Sequence, residues 1–206
     1  HYDSVISVHL TGQFSGTLFN SRKAASVISR ESGKVITVID SRNLSGGLGL
    51  VVLRIARAIE EGWTHDRIVG MTDQWIKQSK IFVSVKTLKY MVRGGRVSHV
   101  KGWIARILNI NPIISMDENG KSMIFGKAYS QKSNMEKVIQ HIATMVKDRK
   151  VWNFVVLHAN NPLAARWYED QMKILTGMDA VSVVEISPVV GANAGIGAAS
   201  VALMLE

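Results

Sequence analysis

The sequence contains no cysteine, which excludes disulfide bonds and thiolate chemistry. Its six histidines show no spacing typical of a metal site, and neither a P-loop nor a dinucleotide-binding glycine motif occurs. Ser15, Asp40 and His158 could be combined as a catalytic triad, but nothing in their spacing supports it. No secretory signal pattern opens the chain. These absences fit a cytoplasmic protein, and we expect it to hold no cofactor or metal.

A credible membrane span is also lacking. The longest uncharged stretch, residues 186–205, contains Pro188, Asn193 and several glycines, which favours loop and buried core over a helix in a bilayer. We expect no stable membrane insertion. The chain has 206 residues, of which 47% are hydrophobic, enough for one large domain or two small ones with a packed core.

Acidic residues are absent from residues 74–116, here called the basic segment, which holds eight of the 25 basic residues. The remainder of the chain is nearly neutral. Such a one-signed segment favours an anionic partner, such as nucleic acid, phosphate, a carboxylate or an acidic protein face. The alternative is a solvated helical surface. The eight basic residues are Lys77, Lys80, Lys86, Lys89, Arg93, Arg96, Lys101 and Arg106.

Strand-like and helix-like runs alternate along the chain, which predicts an α/β protein. We place a first α/β domain, with a partial parallel sheet, at residues 1–80 and a second domain, with a mixed or antiparallel sheet, at residues 81–206. The predicted strands are 4–10, 35–39, 81–85, 112–116, 123–129, 151–159 and 180–186. The predicted helices are 16–32, 50–60, 64–79, 87–92, 100–108, 134–148 and 162–176, with a final strand or helix after residue 198.

Three loops rich in small residues are candidate sites. The first loop, residues 11–17, joins a strand to a helix, so its hydroxyls and backbone N–H groups could hold an anionic oxygen. The simpler alternative is that Ser15 or Thr17 caps the helix. Residues 44–49 follow Asp40 and Ser41 at the end of the next strand, at the sheet edge where ligands collect in open α/β folds. The third loop covers residues 189–198.

Four segments in this order and spacing make the sequence similar to the DegV family over essentially its whole length. They are the first loop with its Ser-Gly-Thr, Asp40-Ser41-x-x-x-Ser45-x-x-x-Gly49, Thr87-Leu88-x-Tyr90-x-x-x-Gly94-Gly95-Arg96-Val97-Ser98 and Leu108-Asn109-Ile110-x-Pro112-Ile113.

Members of this family are bacterial fatty-acid-binding proteins that serve as the lipid-carrying subunit of fatty acid kinase. The resemblance therefore implies a role in phospholipid metabolism and a protein that is not itself an enzyme. The resemblance implies two α/β domains with a long acyl chain in an apolar tunnel between them and its carboxylate at the mouth. A separate kinase protein then phosphorylates the carboxylate to an acyl phosphate. We expect that kinase to dock on the basic segment. The alternative function is a nucleic-acid-binding or regulatory module that uses the basic segment.

The resemblance also implies site residues. Ser15 corresponds to the serine that bonds the carboxylate, and Gly16 allows close backbone approach. We add Thr11, Thr17 and Arg96 as candidates at the mouth.

Two departures from the family pattern affect the expected headgroup site. A further N-terminal segment, with a Thr-Ser-Gln-Pro loop that contacts the headgroup, is not in the sequence, and we expect that this portion is missing. Asn193-Ala194 stands where the family usually has His-Thr. Both residues remain candidates at the mouth, but Asn193 cannot carry a charge near neutral pH as histidine can.

Overall fold

The structure is a computed structural model, and it describes residues 2–96 and 111–206. The predicted helix at 100–108 lies outside these residues. The described strands are β1 Ser4–His9, β2 Val35–Asp40, β3 Ser79–Ser84, β4 Asn111–Met116, β5 Ser122–Ala128, β6 Val151–His158, β7 Val183–Glu185 and β8 Ala199–Leu205. The helices are α1 Thr17–Ser32, α2 Ser45–Glu60, α3 His65–Gln78, α4 Lys89–Arg93, α5 Gln131–Met145, α6 Pro162–Thr176 and α7 Pro188–Ala194.

The described strands form two sheets, which confirms the predicted α/β class. β1 and β2 pair in parallel. The other strands form a mixed sheet in the order β5-β4-β3-β8-β6-β7, in which only β6 and β7 are parallel. The last strand therefore lies in the middle of the larger sheet, between β3 and β6.

Helices cover both sheets. α2 and α3 share one apolar core with the faces of β8, β6 and β3, and Ile6 and Ile39 of the small sheet pack against this core. α5 and α6 cover the opposite face of the large sheet. On the other face of the small sheet, Ser7 Oγ lies 3.4 Å from Ser21 Oγ of α1. The predicted domain division near residue 80 stays a prediction. Helices α2 and α3 precede residue 80, but they share an apolar core with strands that follow it.

The start of α2 differs from the prediction, which treated residues 44–49 as loop. These residues include the first turn of α2, which begins at Ser45. The buried Asn43 accepts a hydrogen bond from Leu44 N (2.9 Å) and donates to the Ser79 carbonyl (3.3 Å), so it holds the chain against β3. The small residues here permit close packing, not a loop.

The third predicted loop also contains a helix, α7, which has Pro188 in its first turn. It packs against the end of α4, where an ideal Cβ on Gly94 would lie 1.9 Å from Asn193 Oδ1. The strand alternative for the C-terminal segment is confirmed by β8.

None of the helices in the described residues has the length and the unbroken hydropathy that a membrane span requires.

Candidate functional site

A cavity of about 800 Å³ lies between the first loop and the face of the large sheet. Ligand pockets in proteins typically measure about 300–1,000 Å³. Its walls come from the ends of β1 and β6, the start of α2, strands β3, β4 and β8, and helices α4 and α7. Most lining side chains are apolar, among them Leu44, Leu48, Ile81, Val83, Val85, Met91, Ile114, Leu157, Ile186 and Val190. The cavity therefore suits a ligand that is largely hydrocarbon.

Ser15 and Thr17 of the first loop line the cavity. Ser15 Oγ donates to Thr17 Oγ1 (3.1 Å) and accepts from Thr17 N (3.2 Å). The cap residue of α1 is Gly16, and no side-chain cap bond is present, so Ser15 precedes the cap and bonds only the first N–H of the helix. The hydroxyls of Ser15 and Thr17 both border the cavity. Gly16 is exposed between them, and an ideal Cβ on it would meet no atom within 4 Å.

Thr11 is placed differently from the other candidates in the first loop. Its side chain is fully buried, and it is not among the lining residues. Its hydroxyl donates to the Gly120 carbonyl (2.8 Å) in the turn between β4 and β5 and accepts from Gln13 N (3.3 Å). Gly120 has φ +76°, a conformation that favours glycine. Thr11 therefore ties the first loop to the large sheet.

Arg96 lines the cavity beside the first loop. Its Nε donates to the Phe14 carbonyl (3.4 Å) and its Nη1 to the Gly94 carbonyl (2.6 Å). Among the four ion pairs of the described residues, none includes Arg96. The guanidinium therefore links the turn after α4 to the first loop through carbonyl oxygens.

Asn193 and Ala194 reach the cavity from α7. Asn193 Nδ2 donates to the Val189 carbonyl one turn earlier (2.9 Å). Its Oδ1 is buried and has no donor among the described residues. Because the Val189 carbonyl can only accept a hydrogen bond, the side-chain amide of Asn193 must turn its nitrogen towards that carbonyl. One amide hydrogen remains for another acceptor.

The residues considered for a triad do not form one. The Asp40 carboxylate accepts from Arg42 N (2.8 Å) and Gly12 N (3.4 Å), which fixes the base of the first loop. His158 Nδ1 accepts from Asn161 N (3.3 Å), at the start of α6. Within residues 2–96 and 111–206, no group of three or more His, Asp or Glu is arranged to hold a metal ion.

Sequence reasoning missed Ser45 and Ser200 as cavity residues. Ser45 opens α2 and Ser200 lies in β8, and both line the cavity. The serine at position 45 was visible within the small-residue run, but Ser200 lies in an apolar strand whose neighbours only the folded sheet reveals.

This fold and cavity are those of an α/β protein with a largely apolar cavity between the first loop and the large sheet. The chain belongs to the DegV family: a family model described as "Uncharacterised protein, DegV family" matches residues 1–206.

Similar proteins occur in several bacteria. A DegV domain-containing protein of Clostridium acetobutylicum is 30% identical over 207 residues, which cover all of this chain and 72% of that protein. One from Staphylococcus aureus strain MRSA252 is 29% identical over 198 residues, which cover 94% of this chain and 68% of that protein.

Solved structures show the same fold. A fatty acid binding DegV family protein from Streptococcus agalactiae has a TM-score of 0.87 at 22% identity, covering 98% of this chain and 70% of that one. A DegV family protein from Eubacterium eligens loaded with heptadecanoic acid has a TM-score of 0.84 at 23% identity, covering 98% and 73%.

Proposed function

We propose that this chain binds a long-chain fatty acid in the cavity and presents its carboxylate, without itself being the catalyst, to a kinase that forms an acyl phosphate. The observation that carries the binding proposal is the cavity of about 800 Å³, apolar along most of its wall and bordered by the hydroxyls of Ser15 and Thr17. Burying an acyl chain contributes about 0.8 kcal/mol per methylene, so the apolar wall can supply most of the affinity. The Eubacterium eligens structure, loaded with heptadecanoic acid, supports the same class of ligand.

The carboxylate needs polar partners, because a desolvated charge without them costs several kcal/mol or takes up a proton. We assign this role to Ser15 and Thr17, with Gly16 allowing close approach. Arg96 supplies positive charge beside them, and Asn193, next to Ala194, offers its remaining amide hydrogen. We assign Thr11 the role of anchoring the first loop, since its hydroxyl is already bonded to Gly120.

The headgroup assignment is tested by Ser15→Ala. We expect this variant to bind the fatty acid about tenfold more weakly, because a hydrogen bond to a charged group is lost, and to bind the methyl ester almost as before. Titration of lipid-free protein by calorimetry measures both affinities. Ser32→Ala, at the far end of α1, is the matched control and should change neither. Equal losses for acid and ester would leave Ser15 with only its bond to the first N–H of α1.

The kinase docking surface is proposed on the basic segment, where Lys89 and Arg93 are exposed on α4 beside the cavity. Opposite charges across an interface raise association rates and make them depend on salt. Lys89→Glu with Arg93→Glu should slow phosphorylation of the bound acid and weaken its salt dependence. Lys147→Glu with Lys150→Glu makes the same charge change outside the segment and should have little effect. Unchanged kinetics in the first variant would remove this surface from the proposal.

A nucleic-acid-binding role has less support. Binding to single strands needs exposed aromatic side chains beside the basic ones. Trp75 and Phe82 are buried in the core, so among the described aromatic residues of the basic segment only Tyr90 is exposed. Lys77 is paired with Asp73 (2.7 Å), and burial lowers the pKa of Lys80, so these two cations are poor phosphate contacts. Lys101 and Arg106 lie outside the described residues. We therefore propose no nucleic-acid partner, and a lack of salt-dependent affinity for DNA or RNA is the expected result.

A further inference from the structure

A buried hydroxyl stands in the apolar wall of the cavity. Ser200 is only 5% exposed and lines the cavity from β8. Its partners in the sheet are Val83 of β3 and Leu157 of β6, which also line the cavity. Residues directly opposite in neighbouring strands share a face, so the Ser200 hydroxyl lies between two apolar side chains. No side-chain hydrogen bond of Ser200 is found within residues 2–96 and 111–206, although the fully buried unpaired side-chain atom in these residues is Asn193 Oδ1 and not the Ser200 hydroxyl.

The start of α2 brings further donors to the same wall. Gly46 lies directly on the sheet, since an ideal Cβ on it would be 2.6 Å from Leu157 Cδ1 and 3.0 Å from Ala202 Cβ. Ser45, the preceding residue, lines the cavity. The cap residue Leu44 has no side-chain hydrogen bond to offer, so the N–H groups of the first turn lack a capping acceptor in the described structure.

The two residues opposite Ser200 in the sheet, Val83 and Leu157, are apolar, and Leu44 and Leu48 line the same cavity. His158, which follows Leu157, also lines the cavity, and its Nδ1 already accepts from Asn161 N. The Arg96 guanidinium donates to carbonyls beside the first loop. A second carboxylate would be desolvated here without a counter-ion. A neutral hydroxyl group can accept from the N–H groups and can donate to or accept from the serine hydroxyls, so it satisfies the site without that cost.

We propose that Ser200, with Ser45 and the first turn of α2, forms an inner polar subsite that recognises a hydroxyl group on the acyl chain. The ligand class is then a long-chain acid hydroxylated at one particular distance from its carboxylate. This inference rests on the proposed fatty-acid binding. In the proposed function, Ser15 and Thr17 hold the carboxylate. The distance from these two residues to Ser200 then selects the position of the hydroxyl along the acyl chain.

The test compares octadecanoic acid with a series of its positional hydroxy isomers, using calorimetry on lipid-free protein. In the unaltered chain, one isomer or two adjacent isomers should bind about tenfold more tightly than the others, because a misplaced hydroxyl is buried without a partner. Ser200→Ala should abolish this preference and should not weaken the binding of octadecanoic acid, which offers the Ser200 hydroxyl no partner. Ser115→Ala is the matched control. Ser115 also lines the cavity, but its hydroxyl already donates to the Ile81 carbonyl (2.8 Å), so the preference should survive.

The outcomes separate this subsite from the proposed function. Binding of octadecanoic acid with no preference among the isomers would overturn the subsite and leave the carrier proposal standing. A preference that persists in Ser200→Ala would overturn the role of Ser200. Failure of the unaltered chain to bind octadecanoic acid or any of the isomers would overturn the carrier proposal and the subsite with it.

Discussion

Ser84, Asn134 and Tyr168 form a buried polar cluster where β3, α5 and α6 meet. Ser84 Oγ donates to Asn134 Oδ1 (2.5 Å) and lies 2.6 Å from the Tyr168 hydroxyl, and Asn134 Nδ2 donates to the Asn111 carbonyl (2.8 Å). Burial raises the pKa of the Tyr168 phenol well above its ordinary value of 10.0, so the phenol stays protonated and donates to Ser84. Every member of the cluster therefore has a partner.

Ser84→Ala should lower the free energy of unfolding by about 2 kcal/mol, because it leaves Tyr168 and Asn134 with unpaired buried groups. Adding Tyr168→Phe removes one of these groups, so the double variant should be no less stable than Ser84→Ala alone. Urea denaturation of the unaltered protein, of Ser84→Ala, of Tyr168→Phe and of the double variant measures the four free energies of unfolding. Fully additive losses from the two single variants would show that the hydroxyls do not act as one cluster.

The sequence carries different amounts of information about the individual candidate residues. Ser15 and Thr17 could be named as candidates because a loop of small polar residues between a strand and a helix is a local pattern. Thr11 belongs to the same pattern, yet its hydroxyl bonds Gly120, more than one hundred residues away. Ser200 could not be found, since its significance depends on Val83 and Leu157 in neighbouring strands.

Among the elements, α2 shows how glycine can mislead. The glycine-rich run at its start predicted a loop, but Gly46 is there because no side chain fits between α2 and the sheet. Most other helices and strands were predicted within a few residues, because hydrophobic periodicity and caps such as Thr64 are local signals. α7 was missed because most of its residues, which are proline, valine, glycine and asparagine, have low helix propensity. In the folded chain it packs against the end of α4.

Two of the three glycines in α2, Gly46 and Gly49, make a matched pair. Gly46→Ala should destabilise the protein by about 1–3 kcal/mol, because its methyl group would overlap Leu157, Val155 and Ala202. Gly49→Ala, in the same helix, meets no atom within 4 Å and should stabilise the protein by about 0.5–1 kcal/mol through helix propensity. Thermal unfolding compares them directly. The same sign of change in both variants would contradict the close packing of α2 on the sheet.

At the scale of the whole molecule, the cavity lies between the first loop, which follows β1 of the small sheet, and the strands of the large sheet. Alternating strands and helices predicted the α/β class, and the Asp117–Gly120 turn marked the β4–β5 hairpin. The central place of β8 has no local signal, since it arises from pairing with β3 and β6, which lie far apart in the sequence. The residues that line the cavity are spread along the sequence from Leu10 to Ser200. The volume of the cavity and its apolar wall therefore exist only in the folded chain.

Native mass spectrometry of the lipid-free protein, incubated with a long-chain fatty acid, tests the central claim most directly. The apolar cavity should hold a single acyl chain, so we predict one adduct per chain that saturates at one equivalent, with a much weaker adduct for an acid of only a few carbons. No adduct, or an adduct that grows without saturating and shows no dependence on chain length, would contradict the account.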